Sequence, residues 1–167
     1  MDEQLIQKAK ELVIEAGLKL VKSGLVARTW GNISARVSDT HFVITPKGRR
    51  YETLKSRDIV LLKINDCSYE GDIKPSSEKG IHAAVYRYRQ DVNFVIHTHQ
   101  LNASVFSVLG EGLHVSKEYN DILKDFVPNA VYGISSTKKL AKNAAKAIRD
   151  NPNSVAFLLR SHGAVSV

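Results

Sequence analysis

The chain has 167 residues, 43% of them hydrophobic and 25% charged, which is the balance of a single soluble globular domain with a full core. Its net charge of +7 is scattered over helix-like surfaces such as "TKKLAKNAAKAIRDN" and "YRYRQD", with no dense run or aromatic-interleaved stripe, which speaks for a solvated basic face and against a nucleic-acid partner. No apolar run can span a bilayer, "MDEQLIQKAKEL" lacks the apolar core of a secretion signal, and Cys67 has no second cysteine to pair with, so the expectation is a cytoplasmic protein with no membrane partner.

In chain order, residues 2 to 23 predict an amphipathic helix, since Leu5, Ile6, Ala9, Leu12, Val13, Ala16, Leu20 and Val21 recur at helical spacing. Asp2 can cap its start and Gly24 can stop it. "ARTWGNISARV" is a loop entering a short strand, "SDT" a turn, "HFVIT" a second strand and "PKG" another turn. "IVLLKI" reads as a buried strand closed by Asn65 and Asp66. "KPSSEKGIHAAVYRYR" passes from an extended stretch into a helix, with Pro75 holding Lys74 out of the helical region and Ser76 or Ser77 as cap. "NFVIHTH" is the next strand, followed by a helix from Asn102 to Leu109 and a weakly patterned stretch containing Pro128. Thr137 to Arg149 is a further helix, and "SVAFLLRSHG" ends in a buried strand and a turn. Helices alternating with strands predict a layered α/β or α+β domain, antiparallel where short turns join the early strands.

The chemistry gathers around "VIHTHQ". In an extended strand, side chains two apart share a face, so His97 and His99 are neighbours. Such a pair is usually no metal site unless a third ligand joins it. His162 is the candidate, because it follows the apolar strand "VAFLL" as His97 follows "NFVI". If those two strands are neighbours in one sheet, their ends converge, and three imidazoles with an open fourth position suit a catalytic zinc. His41, His82 and His114 are less well placed. Glu78, in the first turn of a helix, is either a simple helix-start acid or an acid/base beside the metal. Ser76 and Ser77 offer hydroxyls and N–H groups to an anion there. Gly31, Asn32, Lys47 and Gly48 lie in turns that can join them.

Taken together, "GNIS", "ITPKG", "DIV", "KPSSE", "VIHTHQ" and "LLRSHG" stand in the order and spacing of the class II aldolase/adducin family, which the chain resembles over about residues 5 to 167. The motifs stand nearest those of the family's L-fuculose-phosphate aldolases. The resemblance implies a three-layer α/β/α fold with a mostly antiparallel central sheet, and a homotetramer with active sites at subunit boundaries. It makes residues 1–167 one domain, short of the family's C-terminal strand and helix. It makes His97, His99 and His162 the ligands of Zn2+, with Mn2+ or Co2+ as possible substitutes, and Glu78 the acid/base that can also reach the metal. The phosphate of a small sugar substrate would lie against Asn32, Gly48, Ser76 and Ser77. Lys47 stands where the aldolases carry a small hydroxyl residue, and its charge can serve the same anion. Tyr119, or Glu118 beside it, would be the loop proton donor.

The implied function is zinc-dependent carbon–carbon lyase chemistry on a ketose phosphate through a metal-stabilised enediolate, in carbohydrate metabolism. Within the family, ribulose-phosphate 4-epimerases resemble the chain but carry Asp in place of Glu78, and methylthioribulose-phosphate dehydratases keep the histidines and a glutamate. A non-catalytic adducin-like module would lack the full ligand set, which is complete here.

Overall fold

A computed structural model describes residues 2–167. Helix α1 (Glu3–Lys22) begins at Asp2, whose carboxylate accepts the Gln4 N–H at 2.9 Å. Ala9, Val13 and Gly17, four residues apart, are its buried positions.

Strands β1 (Asn32–Arg36), β2 (His41–Ile44) and β3 (Val60–Lys63) form the antiparallel meander that the short turns imply. Helix α2 (Lys79–Tyr88) then leads into β4 (Phe94–Thr98), and α3 (Leu101–Leu109) follows with Gln100 as its cap. The weakly patterned stretch holds several short pieces: β5 (Leu113–His114), α4 (Asn120–Leu123), β6 (Phe126–Val127) and β7 (Asn129–Ala130). Helix α5 (Lys138–Asp150), capped by Thr137, precedes β8 (Ala156–Leu159) and β9 (Gly163–Ser166).

Seven strands make the central sheet in the order β3-β2-β1-β4-β9-β8-β7, antiparallel except for β7 with β8. Side-chain alternation divides the core between two faces. Ile33, Ala35 and Val43 pack with Ala9 and Val13 of α1. Phe42, Val95, Phe157 and Val165 pack with Ile81 and Val85 of α2 and Leu140 and Ala144 of α5. Helices therefore cover both faces, giving the three-layer α/β/α arrangement.

Three expectations need correction. The cap of α2 is Glu78 itself, neither Ser76 nor Ser77, so this glutamate precedes the helix and does not belong to its first turn. Its side chain makes no capping bond because it is held elsewhere, by His97, His162 and Ser135. The closing strand is followed by a further strand, β9, and not by a turn alone. Finally, β4 and β8 are not neighbours, because β9 pairs with both of them.

Candidate active site

The inserted strand β9 explains how three distant histidines meet. Because β1, β4 and β9 run antiparallel to their neighbours, the start of β1, the end of β4 and the start of β9 lie at one end of the sheet. Asn32 pairs with His97, and Thr98 pairs with Ala164. His97 is in β4, His99 lies just beyond it, and His162 occupies the turn between β8 and β9. That turn closes tightly on β4: a Cβ on Gly163 would lie 2.4 Å from the Thr98 carbonyl oxygen. Glu78 arrives from the start of α2.

One ligand atom from each of Glu78, His97, His99 and His162 lies within 4.8 Å of the others. His99 Nε2 is 2.9 Å from His97 Nε2 and 3.1 Å from His162 Nε2. The Glu78 oxygens lie 3.0 Å from His97 Nε2 and 3.3 Å from His162 Nε2. His97 Nδ1–H donates to the Ala164 carbonyl at 2.9 Å, which fixes the ring and turns Nε2 into the cluster. His162 Nδ1 is buried without such a partner, so His97 is the better oriented of the two.

Burial, with the charges of His97 and His162, pushes the His99 imidazole down to about 4, so it is neutral at neutral pH. Burial also pushes His162 down, against the opposite pull of Glu78. For Glu78, burial raises the carboxyl. The hydrogen bond and charge of His97, the charge of His162 and the Ser135 hydroxyl outweigh it and hold the group well below the ordinary carboxylate range. Three imidazole nitrogens and a carboxylate turned toward one point at these distances form a pocket of donor atoms that a cation among them would hold together. The donor set, nitrogen and oxygen without thiolate, fits a divalent cation of the Zn2+, Mn2+ or Co2+ kind.

The anion loops also meet. Pro46 and Pro75 form a β-bridge, Lys47 N–H donates to the Lys74 carbonyl at 2.9 Å, and Ser76 N–H donates to the Thr45 carbonyl at 3.0 Å. Lys47 and Gly48 are thereby set beside Ser76 and Ser77. Ser76 is buried, its Oγ accepting the Glu78 N–H at 3.2 Å, while Lys47, Gly48 and Ser77 are exposed. A cavity of about 320 Å3 lies between the starts of α2 and α5, lined by Ser77, Glu78, Lys79, Ser136, Thr137 and Lys138 with their neighbours. A larger cavity of about 700 Å3 beside the edge strand β3 is lined by none of the cluster residues.

Tyr119 stands half-exposed in the turn Lys117–Tyr119 and makes no hydrogen bond to the cluster. Three features escaped the sequence reading. Ser135, from the loop before α5, donates its hydroxyl to Glu78 Oε1 at 2.9 Å. Trp30 lies with its ring 6.3 Å from that of His99. His82, set aside as an ordinary helix histidine, is fully buried and bonded to Asn32. Its place on the first turn of α2, four residues after Glu78, was the one visible signal.

The family model described as Class II Aldolase and Adducin N-terminal domain matches residues 11–167. A 5-deoxy-D-ribulose 1-phosphate aldolase of Bacillus thuringiensis serovar kurstaki is 35% identical over 163 residues, 97% of this chain and 75% of that protein. A protein of Mycoplasma pneumoniae described as "Probable L-ribulose-5-phosphate 4-epimerase UlaF" is 36% identical over 109 residues, 64% of this chain and 45% of its own length. Among solved structures, an L-fuculose 1-phosphate aldolase superposes with a TM-score of 0.86 at 36% identity, covering 95% of this chain and 74% of that one.

Proposed function

The chain belongs to the class II aldolase and adducin family, and on that premise we propose that it is a zinc-dependent aldolase cleaving a small ketose phosphate. The observation that carries this reading is the convergence of three imidazole Nε2 atoms and the Glu78 carboxylate at the end of strands β1, β4 and β9. His97, His99 and His162 would hold the cation, with Mn2+ or Co2+ as substitutes, and Glu78 lies close enough to join them. Such a cation supplies Lewis acidity, polarising the carbonyl and hydroxyl oxygens of the ketose and offsetting the negative charge that develops as the carbon–carbon bond breaks.

The chain's own groups handle the protons and the phosphate. Glu78, positioned by Ser135 and within 3.5 Å of Asn32 Nδ2, delivers a proton to the carbon that keeps the bonding electron pair, and removes it in the reverse direction. Tyr119 is proposed as the group that exchanges the proton of the hydroxyl that becomes the aldehyde. The phosphate would be held by Asn32, Lys47, Gly48, Ser76 and Ser77, next to the two helix starts. Ser77→Asp places a second anion there. It is expected to weaken inorganic phosphate binding by about tenfold or more, while zinc content stays unchanged. Titration calorimetry with phosphate checks this, and equal affinity in the variant would move the pocket elsewhere.

No helix among the described residues is long and apolar enough to cross a membrane. The outer face of α3 exposes Leu101, Val105, Val108 and Leu109, an apolar stripe that supports a homotetramer. The experiment that tests the function is a panel of ketose phosphates offered to the metal-loaded protein, with products read by NMR. Aldehyde and dihydroxyacetone phosphate mark cleavage. The match to the Mycoplasma pneumoniae protein makes 4-epimerisation the second reading, marked by inversion at one carbon without cleavage.

A further inference from the structure

Behind Asn32, three further polar side chains stand in line inside the protein. Tyr86 OH is 2.8 Å from Ser34 Oγ, Ser34 Oγ is 2.6 Å from His82 Nδ1, and His82 Nε2 makes a short hydrogen bond to Asn32 Oδ1. Asn32 Nδ2 in turn lies 3.5 Å from Glu78 Oε2. Ser34 and His82 are wholly buried, and Tyr86 and Asn32 are nearly so. The far end is anchored by Arg36, whose guanidinium lies 4.8 Å from the centre of the Tyr86 ring and donates to the Tyr86 carbonyl.

The direction of every bond in this line can be deduced. An ionised carboxylate only accepts, so Asn32 must turn its NH2 toward Glu78 and its carbonyl toward His82. His82 Nε2 must then carry the proton. Burial, reinforced by the charge of His97, pushes His82 down to about 3, so the ring is neutral and Nδ1 is bare. Nδ1 therefore accepts the Ser34 hydroxyl, and Ser34 Oγ accepts from the Tyr86 hydroxyl. All donors point the same way, toward the site, and a chain of this kind polarises each of its members.

We infer that His82 is a positioning residue that locks the Asn32 amide with its N–H groups, never its carbonyl, facing the bound anion. This rests on the reading of Asn32 as a contact to the substrate phosphate. With the lock in place, a flipped Asn32 would set NH2 against N–H and carbonyl against carboxylate. Without it, the amide rotates, and its carbonyl meets the anion part of the time. The long contact to Glu78 leaves the Asn32 hydrogens free for a better acceptor.

Two measurements test the lock, and the first needs no substitution. Long-range 1H–15N correlation of the metal-loaded protein should show His82 as the neutral Nε2–H tautomer, and an Nδ1–H tautomer would overturn the inference. The second is a double-mutant cycle read by inorganic phosphate affinity. His82→Leu should weaken phosphate roughly tenfold, the scale of one hydrogen bond to a charged group, and should have no effect in an Asn32→Ala background. His82→Gln keeps an N–H toward Asn32 and should recover most of the affinity, which separates the lock from a loss of packing. Losses that add, or no loss in the wild-type background, would overturn it. If wild-type protein binds no phosphate, the anion reading of Asn32 fails, and the tautomer alone decides the lock.

Discussion

Replacing Glu78 with glutamine is expected to slow turnover by about 10²–10⁴-fold, the usual worth of general acid–base catalysis, in a protein that still binds its metal. Glutamine nearly matches glutamate in shape but cannot take and return a proton near neutral pH. Ser135 can still donate to the amide oxygen, so the side chain should keep its place. The three imidazoles would hold the cation without the carboxylate's charge. Turnover and elemental analysis on the same preparation check both halves of this expectation. Near-full turnover would make Glu78 only a helix-start acid and send the search for the base to Tyr119. Glu78→Asp keeps the charge but shortens the reach by one methylene, roughly 1.5 Å. It should lose most cleavage and allow trace epimerisation if the carboxylate then meets a different proton.

Removing His99 should have the largest effect on the metal. Losing a group that merely supports a ligand costs about 10–100-fold in affinity, and losing a ligand should cost more. His99 is the right member to remove, because it is the exposed one of the three and its loss opens no buried cavity. His97, fully buried and paired to the Ala164 carbonyl, would confuse metal loss with unfolding. Trp30 is the only tryptophan in the chain, and its ring lies 6.3 Å from that of His99, so its fluorescence reports on the site directly. His99→Ala should keep the circular dichroism and melting temperature of the metal-free wild type, lose zinc to a competing chelator and lose activity. Wild-type zinc affinity in this variant would mean that the ligand set is wrong.

The long amphipathic helices were readable in the sequence because one apolar face repeats over many residues. Ala9, Val13 and Gly17 in α1 and Leu140, Ala144 and Ile148 in α5 are such faces. Strand order was not readable. The pairing of β4 with β9 joins residues far apart in the chain, and no local pattern records it. His162 was therefore expected beside His97 and His99 through a supposed neighbour of β4, whereas the β8–β9 turn is what brings it next to them. Between Gly110 and Ser136 the strands are two residues long, too short for any periodicity, and Ser135 on the loop after them could not be distinguished from an ordinary serine. His82 shows a different limit: a histidine satisfied by Ser34 and Asn32 from another element looks, in sequence, like any histidine on a helix.

We propose that one cation, held by His97, His99 and His162 beside Glu78, makes this chain an aldolase. This is tested most directly by stripping the protein with chelator and returning Zn2+ while aldehyde release from its best ketose phosphate is followed. Metal-free protein should be inactive, and activity should rise linearly and level off at about one equivalent per chain, as a single three-imidazole site requires. Cleavage by the metal-free protein, or zinc that binds at one equivalent without restoring it, would contradict the account.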